Sequence, residues 1–214
     1  MSLSQLRRLA GAILAALCLT APSAPSHATS VMQMSVVDLL AHSQAIVAGR
    51  VEKVTDGFDA KGVPYTEVTL KVSDTIRGTR ADTYTFRQFG LDKPRKMPDG
   101  RVYLGGRPQG WPTWRKYESA IVFMYPKAKR TGLQTTVGLG YGKMSLGNGV
   151  TMNAYENTGL FTGVKVNRAL LDSTEKRMFD TQEGPVDSET FRKFLHRAVE
   201  GNWVKNGSIA NAKR

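Results

Sequence analysis

The chain has 214 residues, 41% of them hydrophobic, with 30 Lys and Arg against 18 Asp and Glu, a formal charge of +12 and one cysteine. That length suits one sizeable domain, and a lone thiol excludes an intramolecular disulfide framework, so packing must supply the stability. The cationic surplus favours contact with something anionic.

Residues 1–28 have the order of a secretory signal: Arg7 and Arg8, the apolar run 9–19, then the small-residue site Ser26-His27-Ala28. Cleavage near Ala28 predicts a secreted or periplasmic protein that begins near Thr29. The apolar run is shorter than the ~20 residues that span hydrocarbon and no later run is longer, so no transmembrane segment is expected. Cys18 leaves with the signal; Leu17 stands before it, where lipoprotein cleavage needs a small residue. The same 28 residues hold two arginines and no acid, so 28 basic side chains remain against 18 acidic ones.

In chain order, Ser35 and Asp38 form a capping pattern for a short helix with Val36, Leu39 and Leu40 on one side, ending near 42–43. Residues 45–54 predict a strand with Val47, Gly49 and Val51 on one face and Arg50 and Glu52 on the other, bent or bulged at Gly49. The connection 56–63 has turn chemistry, and Asp56 and Asp59 lack the oxygen spacing of a calcium loop. Residues 64–72 alternate most cleanly, with Thr66, Val68, Leu70 and Val72 inward and Tyr65, Glu67, Thr69 and Lys71 outward. A third strand, 82–89, sets Tyr84 and Phe86 against Thr83, Thr85 and Arg87.

Residues 91–118, rich in Gly, Pro, Lys and Arg, read as a long loop of the kind that is functional or disordered. Residues 119–125 are apolar on both alternating faces, which predicts a central strand covered on each side. Leu133, Thr135, Val137 and Leu139 mark a further strand, and Asn148-Gly149 a hairpin between 144–146 and 150–152, because both turn positions favour positive φ. Asp187 caps a last helix whose Phe191, Phe194, Leu195, Ala198 and Val199 make one apolar stripe, suited to the outer face of 119–125, with Gly201 as its stop. The tail 202–214 is expected to fray, with Trp203 docking. Six or seven strands in series imply antiparallel pairing, so the expected fold class is mainly β (α+β). One domain, 29–201, is predicted.

The run Ala41-His42-Ser43-Gln44-Ala45-Ile46-Val47-Ala48-Gly49-Arg50-Val51, then Tyr65-Thr66-Glu67-Val68-Thr69-Leu70-Lys71-Val72 and Arg77-Gly78, resembles a group of uncharacterised exported bacterial β-barrel proteins. Tyr117-Glu118-Ser119-Ala120-Ile121-Val122-Phe123 and Val137-Gly138-Leu139-Gly140-Tyr141-Gly142-Lys143 are similar to their later strands. More distantly, the order helix, bent strand, strand ending in basic-Gly, then meander is similar to netrin-like domains and the tissue inhibitors of metalloproteinases. That resemblance implies a single antiparallel OB-like or netrin-like barrel with a short N-terminal helix and a C-terminal amphipathic helix. Inhibitors of that family chelate zinc through an N-terminal Cys-x-Cys, and this chain has no cysteine after Cys18 to carry the mechanism.

No catalytic residues, cofactor or metal site are predicted. His42 and His196 read as solvated helix residues without local ligand spacing. Gly138 to Ser145 has the wrong glycine spacing for either phosphate fingerprint and precedes a strand; its glycines are read as relieving crowding at a barrel bend. Gly142 to Gly147 misses the nucleophile-elbow spacing by one residue.

The candidate binding surface lies in 93–130, where ten basic residues meet two acids. Arg101, Tyr103, Arg107, Trp111, Trp114, Arg115 and Lys116 combine charge with flat apolar faces, a pairing used at hot spots and on polyanions. The other reading is structural: the indoles pin the loop onto the barrel and the cations form a solvated face. The functional expectation is an exported, non-enzymatic binding protein whose partner is a protein or an anionic envelope polymer, with nucleic acid less favoured. The alternative is an extracytoplasmic hydrolase in which carboxylates among Glu52, Glu67, Asp74 and Glu118 converge after folding. Ligand, biological process and oligomeric state are not specified by the sequence.

Overall fold

The computed structural model describes residues 32–97, 100–106 and 108–212; the predicted signal segment and Cys18 lie outside the described residues. The described chain opens with α1 (Val36–His42), started by the predicted capping box: the Ser35 hydroxyl accepts from the Asp38 N–H at 3.2 Å, and the Asp38 carboxylate accepts from the Ser35 N–H at 2.9 Å. Val36, Leu39 and Leu40 are buried, as their spacing requires.

Two long strands follow, β1 (Ala45–Phe58) and β2 (Pro64–Arg77), both longer than their period-2 stretches. Residues 55–58 extend β1 in regular pairing with 64–67, whereas the added part of β2 carries two bulges. The pairing Ala48 with Asp74 and Gly49 with Val72 leaves Ser73 unopposed, and Val47 with Thr75 and Ile46 with Arg77 does the same to Ile76. Each extra residue turns the following side chains to the other face. Val68 and Leu70 thus enter one core while Ile76, later on the same strand, enters another. Gly49 sits at this irregularity because a Cβ there would stand 2.4 Å from the Lys71 carbonyl oxygen.

The strand β3 (Thr83–Phe89) pairs with β2, and β6 (Ser119–Met124) pairs with the other side of β1, between a minimal hairpin β4 (Arg95–Lys96) and β5 (Val102–Tyr103) and the turn-linked pair β7 (Lys143–Gly147) and β8 (Val150–Met152). The Asn148-Gly149 turn has φ of 51° and 76°, the predicted hairpin geometry. With β10 (Val186–Asp187) the result is a seven-stranded antiparallel sheet in the order β10-β8-β7-β6-β1-β2-β3. Its ladders leave β3 and β10 as edges. The main-chain N–H of Gln134 donates to the Arg87 carbonyl of β3 at 2.8 Å, and Thr136 bridges Met124 of β6.

The strand expected at 133–139 does not form a ladder. Only the Thr136 bridge is made before Gly138 and Leu139 take φ of 60° and 57° and start a 3-10 turn, Leu139–Gly142. Crowding explains the glycines: a Cβ at Gly142 would lie 2.3 Å from the Val137 carbonyl oxygen.

Both faces of β6 are covered, as its composition demands. Ala120, Val122 and Met124 join Ala45, Val47 and Val51 of β1, Val68 and Leu70 of β2, Phe86 of β3 and the loop residue Trp114 in an inner core. Ile121 and Phe123 face an outer core built by α1, α2 (Ser173–Phe179) and α3 (Ser188–Glu200). The α3 stripe is the predicted one: Phe191, Phe194, Leu195 and Ala198 are buried, Phe191 lies 6.4 Å from Phe123, and Asp187 caps the helix by accepting from the Thr190 N–H at 2.8 Å.

The tail is ordered rather than frayed. After Gly201 the chain turns so that Trp203 packs on Phe194 at 5.9 Å, then β11 (Ile209–Asn211) pairs with β9 (Val164–Val166). Asn211 then bonds Asp38 and Ser35 beside α1, so the domain extends to at least residue 212 and past the predicted boundary at 201. No helix among the described residues is long and apolar enough to cross a membrane.

Candidate functional site

The excursion 91–118 leaves β3 and returns to β6 across one end of the inner core, and its anchors are side chains that the sequence offered as ligand contacts. Trp114 is only 3% exposed. Its ring meets Phe86 edge to face at 5.2 Å, and its Nε1–H donates to the buried Gln88 Oε1 at 3.1 Å. Gln88 donates in turn to the Pro112 carbonyl at 3.1 Å, a closed chain of bonds that fixes the loop. Trp114 is therefore a core residue, and only its edge borders the groove described below. The structural reading of this indole holds because one flat ring fills the end of the inner core.

The loop returns through a tight turn. Glu118 Oε1 accepts from the Arg115 N–H at 2.9 Å and from the Lys143 ammonium at 2.6 Å, while Tyr117 N–H donates to the Val51 carbonyl and Val51 N–H to the Glu118 carbonyl, both at 2.8 Å. This pairing holds Tyr117 at φ 74°, a left-handed conformation that costs a non-glycine residue about 1–2 kcal/mol. The residue is 59% exposed. Arg50 of β1 and Lys116 sit over that ring at 4.8 and 4.7 Å from the centroid. A hydrogen bond from Lys116, helped by the charges of Lys116 and Arg50, holds the phenol below its ordinary pKa and makes it a stronger donor toward an anion.

Lys116 also borders a groove of about 640 Å³ walled by Val54, Thr55, Asp56, Asp92, Lys93, Pro94, Arg95 and the edge of Trp114. The Asp56 carboxylate is occupied within the fold: it accepts from the Thr66 hydroxyl at 2.8 Å and from the N–H groups of Asp92 and Lys93 at 2.8 and 3.1 Å. Asp59 is likewise a turn residue, accepting from Lys61 and Val63 N–H. Three cations, Lys93, Arg95 and Lys116, thus face one groove.

Of the predicted surface residues, Lys116 belongs to this groove and Arg115 is exposed on the adjoining turn. Arg101 is exposed at the end of the β4–β5 hairpin, and Tyr103 is half-buried edge-on against Phe58 at 5.6 Å. Trp111 is half-buried and lines a different cleft. Arg107 lies outside the described residues. Lys93, Arg95 and Tyr117 lie within the 93–130 segment that the sequence marks as the surface, though not among its seven named contacts, and Arg50 lies outside that segment. The lysine and arginine flanking Pro94 were a visible signal; Arg50 was not, being 67 residues from Tyr117.

Asp74, Glu67 and Glu118 are each engaged by different basic partners: Arg192 and His196, Arg87, and Lys143. Glu52 is exposed on β1. His196 is not merely solvated, since its Nε2 lies 3.0 Å from both Asp74 oxygens. No group of three or more His, Cys, Asp or Glu among the described residues is placed to hold a metal ion. Comparisons with protein-family models, characterised proteins and solved structures found no match.

Proposed function

We propose that this is an exported, non-enzymatic binding protein that holds an anionic polymer of the cell envelope along the Lys93–Arg95–Lys116 groove and the adjoining Tyr117 platform. One observation carries the reading: Lys93, Arg95 and Lys116 outnumber the two carboxylates of the groove, Asp56 and Asp92, and the Asp56 oxygens are taken up by hydrogen bonds within the fold, so a positive surplus faces the groove. An exposed phenol flanked by two cations extends that surface. The protein-partner reading is weakened because Trp114 is 3% exposed and Trp111 lines a different cleft, while the cations stay outside.

The scaffold is read as an OB-like or netrin-like barrel. Its support is the Gln134 N–H on the Arg87 carbonyl together with the bonds of Tyr125 and Val137 N–H to the Thr135 and Phe123 carbonyls, which link the β3 edge back to β6 around the inner core. The resemblance to exported bacterial β-barrel proteins agrees with that reading. Export rests on residues 1–28 and on a domain without thiols after Cys18. Calorimetric titration of the processed protein with dextran sulfate tests the function. Saturable binding that weakens steeply with salt and weakens again in Lys116→Glu is expected, and absence of binding at low salt overturns the proposal.

A further inference from the structure

We propose a second interaction surface, separate from the cationic groove: the outward face of the β4–β5 hairpin, which docks on the headgroup region of a bilayer that contains anionic phospholipid. Five large hydrophobic residues are exposed among the described ones, and Val102 and Leu104, at 55% and 76%, are two of them. Both stand in the segment that also concentrates the positive charge.

The hairpin has two faces. Arg95 pairs with Tyr103 and Lys96 with Val102, and in a ladder paired residues share a face while successive ones alternate. Arg95 lines the groove and Tyr103 packs on Phe58, so that pair looks inward. Lys96 and Val102 therefore look outward, and both are exposed and outside the groove. The alternation continues past the short ladder, since Val102, Leu104 and Gly106 are exposed while Tyr103 and Gly105 are half-buried. Gly105 lies under the Tyr103 ring, where a Cβ would stand 2.1 Å from it. Leu104, between the two, is left on the side of Val102.

That arrangement inverts what water favours. A solvated hairpin sets polar residues outward, whereas here two aliphatic side chains face solvent and the ring lies inward, a pattern that marks a contact surface. Charge selects the partner. Among the described residues no ion pair engages Lys93, Arg95 or Lys96. An anionic leaflet offers phosphates to these cations and, a little deeper, hydrocarbon to Val102 and Leu104, with no need for a shaped pocket. A second copy docked face to face would bring two Lys96 ammonium groups together, and a soluble polyanion has nothing to cover two aliphatic side chains.

The test mixes the processed protein with vesicles of phosphatidylcholine alone, or of phosphatidylcholine and phosphatidylglycerol in equal parts, and reads binding by co-sedimentation. Binding to the anionic vesicles is expected, with affinity for the neutral ones lower by about tenfold or more. Val102→Ser/Leu104→Ser should keep the parent's circular dichroism spectrum and its dextran sulfate binding but bind anionic vesicles about tenfold or more weakly. A direct readout of depth is also open, because the processed protein lacks Cys18, the chain's one cysteine. A solvatochromic label on Leu104→Cys should shift to the blue on anionic vesicles and not on dextran sulfate. The proposal is overturned by no binding to the anionic vesicles, by equal binding to both kinds, or by parental vesicle affinity in Val102→Ser/Leu104→Ser. An equal loss of dextran sulfate binding in that variant, or a label that stays in water, overturns it as well.

Discussion

Replacing Trp114 by alanine separates a packing role from a ligand role. The indole is 3% exposed and meets Phe86, the Lys143 ammonium at 4.7 Å and, through Nε1, Gln88. Truncating a buried aromatic costs about 3–5 kcal/mol, and stranding the Oε1 of Gln88, itself 0% exposed, adds about 1 kcal/mol or more. Against a total stability of about 5–15 kcal/mol, that loss is a large share of the whole. With a urea dependence of ~2 kcal/mol per molar, the midpoint should fall by ~2 M, measured by far-ultraviolet circular dichroism. Trp114→Phe retains the ring contact but not the Gln88 bond and should lose only ~1–2 kcal/mol. A Trp114→Ala protein with a midpoint within ~0.5 M of the parent and no dextran sulfate binding would return this residue to the surface and refute the reasoning.

Tyr117→Gly should raise stability by ~1 kcal/mol through relief of the left-handed strain, yet weaken polyanion binding; thermal melts and titrations on one sample check both halves. Gly49→Ala should lower stability by about 1–3 kcal/mol, because the added methyl must displace the Lys71 carbonyl across the β1–β2 ladder. Burial pushes the Asp74 carboxyl up, but hydrogen bonds from His196 and Arg192 outweigh it and leave the group below the usual carboxylate range. A depressed folded pKa means stability that is full above the unfolded value near ~4 and is lost as pH falls through the lower folded value. The deficit of Asp74→Asn, followed by urea denaturation across that window, should therefore be largest near neutrality and shrink below pH ~4; a constant deficit there would contradict it.

Elements whose signal is local were legible. The Ser35–Asp38 box, the alternation of 64–72, the Asn148-Gly149 turn and the α3 stripe each specify their geometry within a few residues. What escaped depends on distant partners. The bulges at Ser73 and Ile76 follow from pairing with β1, and no period-2 count shows them. The alternation of 133–139 matched a strand, but the left-handed turn at Gly138 and Leu139 won. The last segment looked polar and free because its partners, β9 and Asp38, lie about 45 and 173 residues away. In the candidate site, the concentration of charge in 93–130 was readable. Which rings face solvent was not: Trp114 and Tyr117 are equally aromatic in sequence, and only the inner core separates them.

On the proposed reading the groove and its adjoining turn, rather than total charge, hold the anionic ligand. Elution from an immobilised sulfated polysaccharide tests it most directly, comparing the parent with Arg115→Glu/Lys116→Glu and with Lys165→Glu/Lys205→Glu, an equal charge change at exposed residues outside the groove. Eluting salt should fall far for the first pair and little for the second. Equal falls, or no fall in the first, would contradict it.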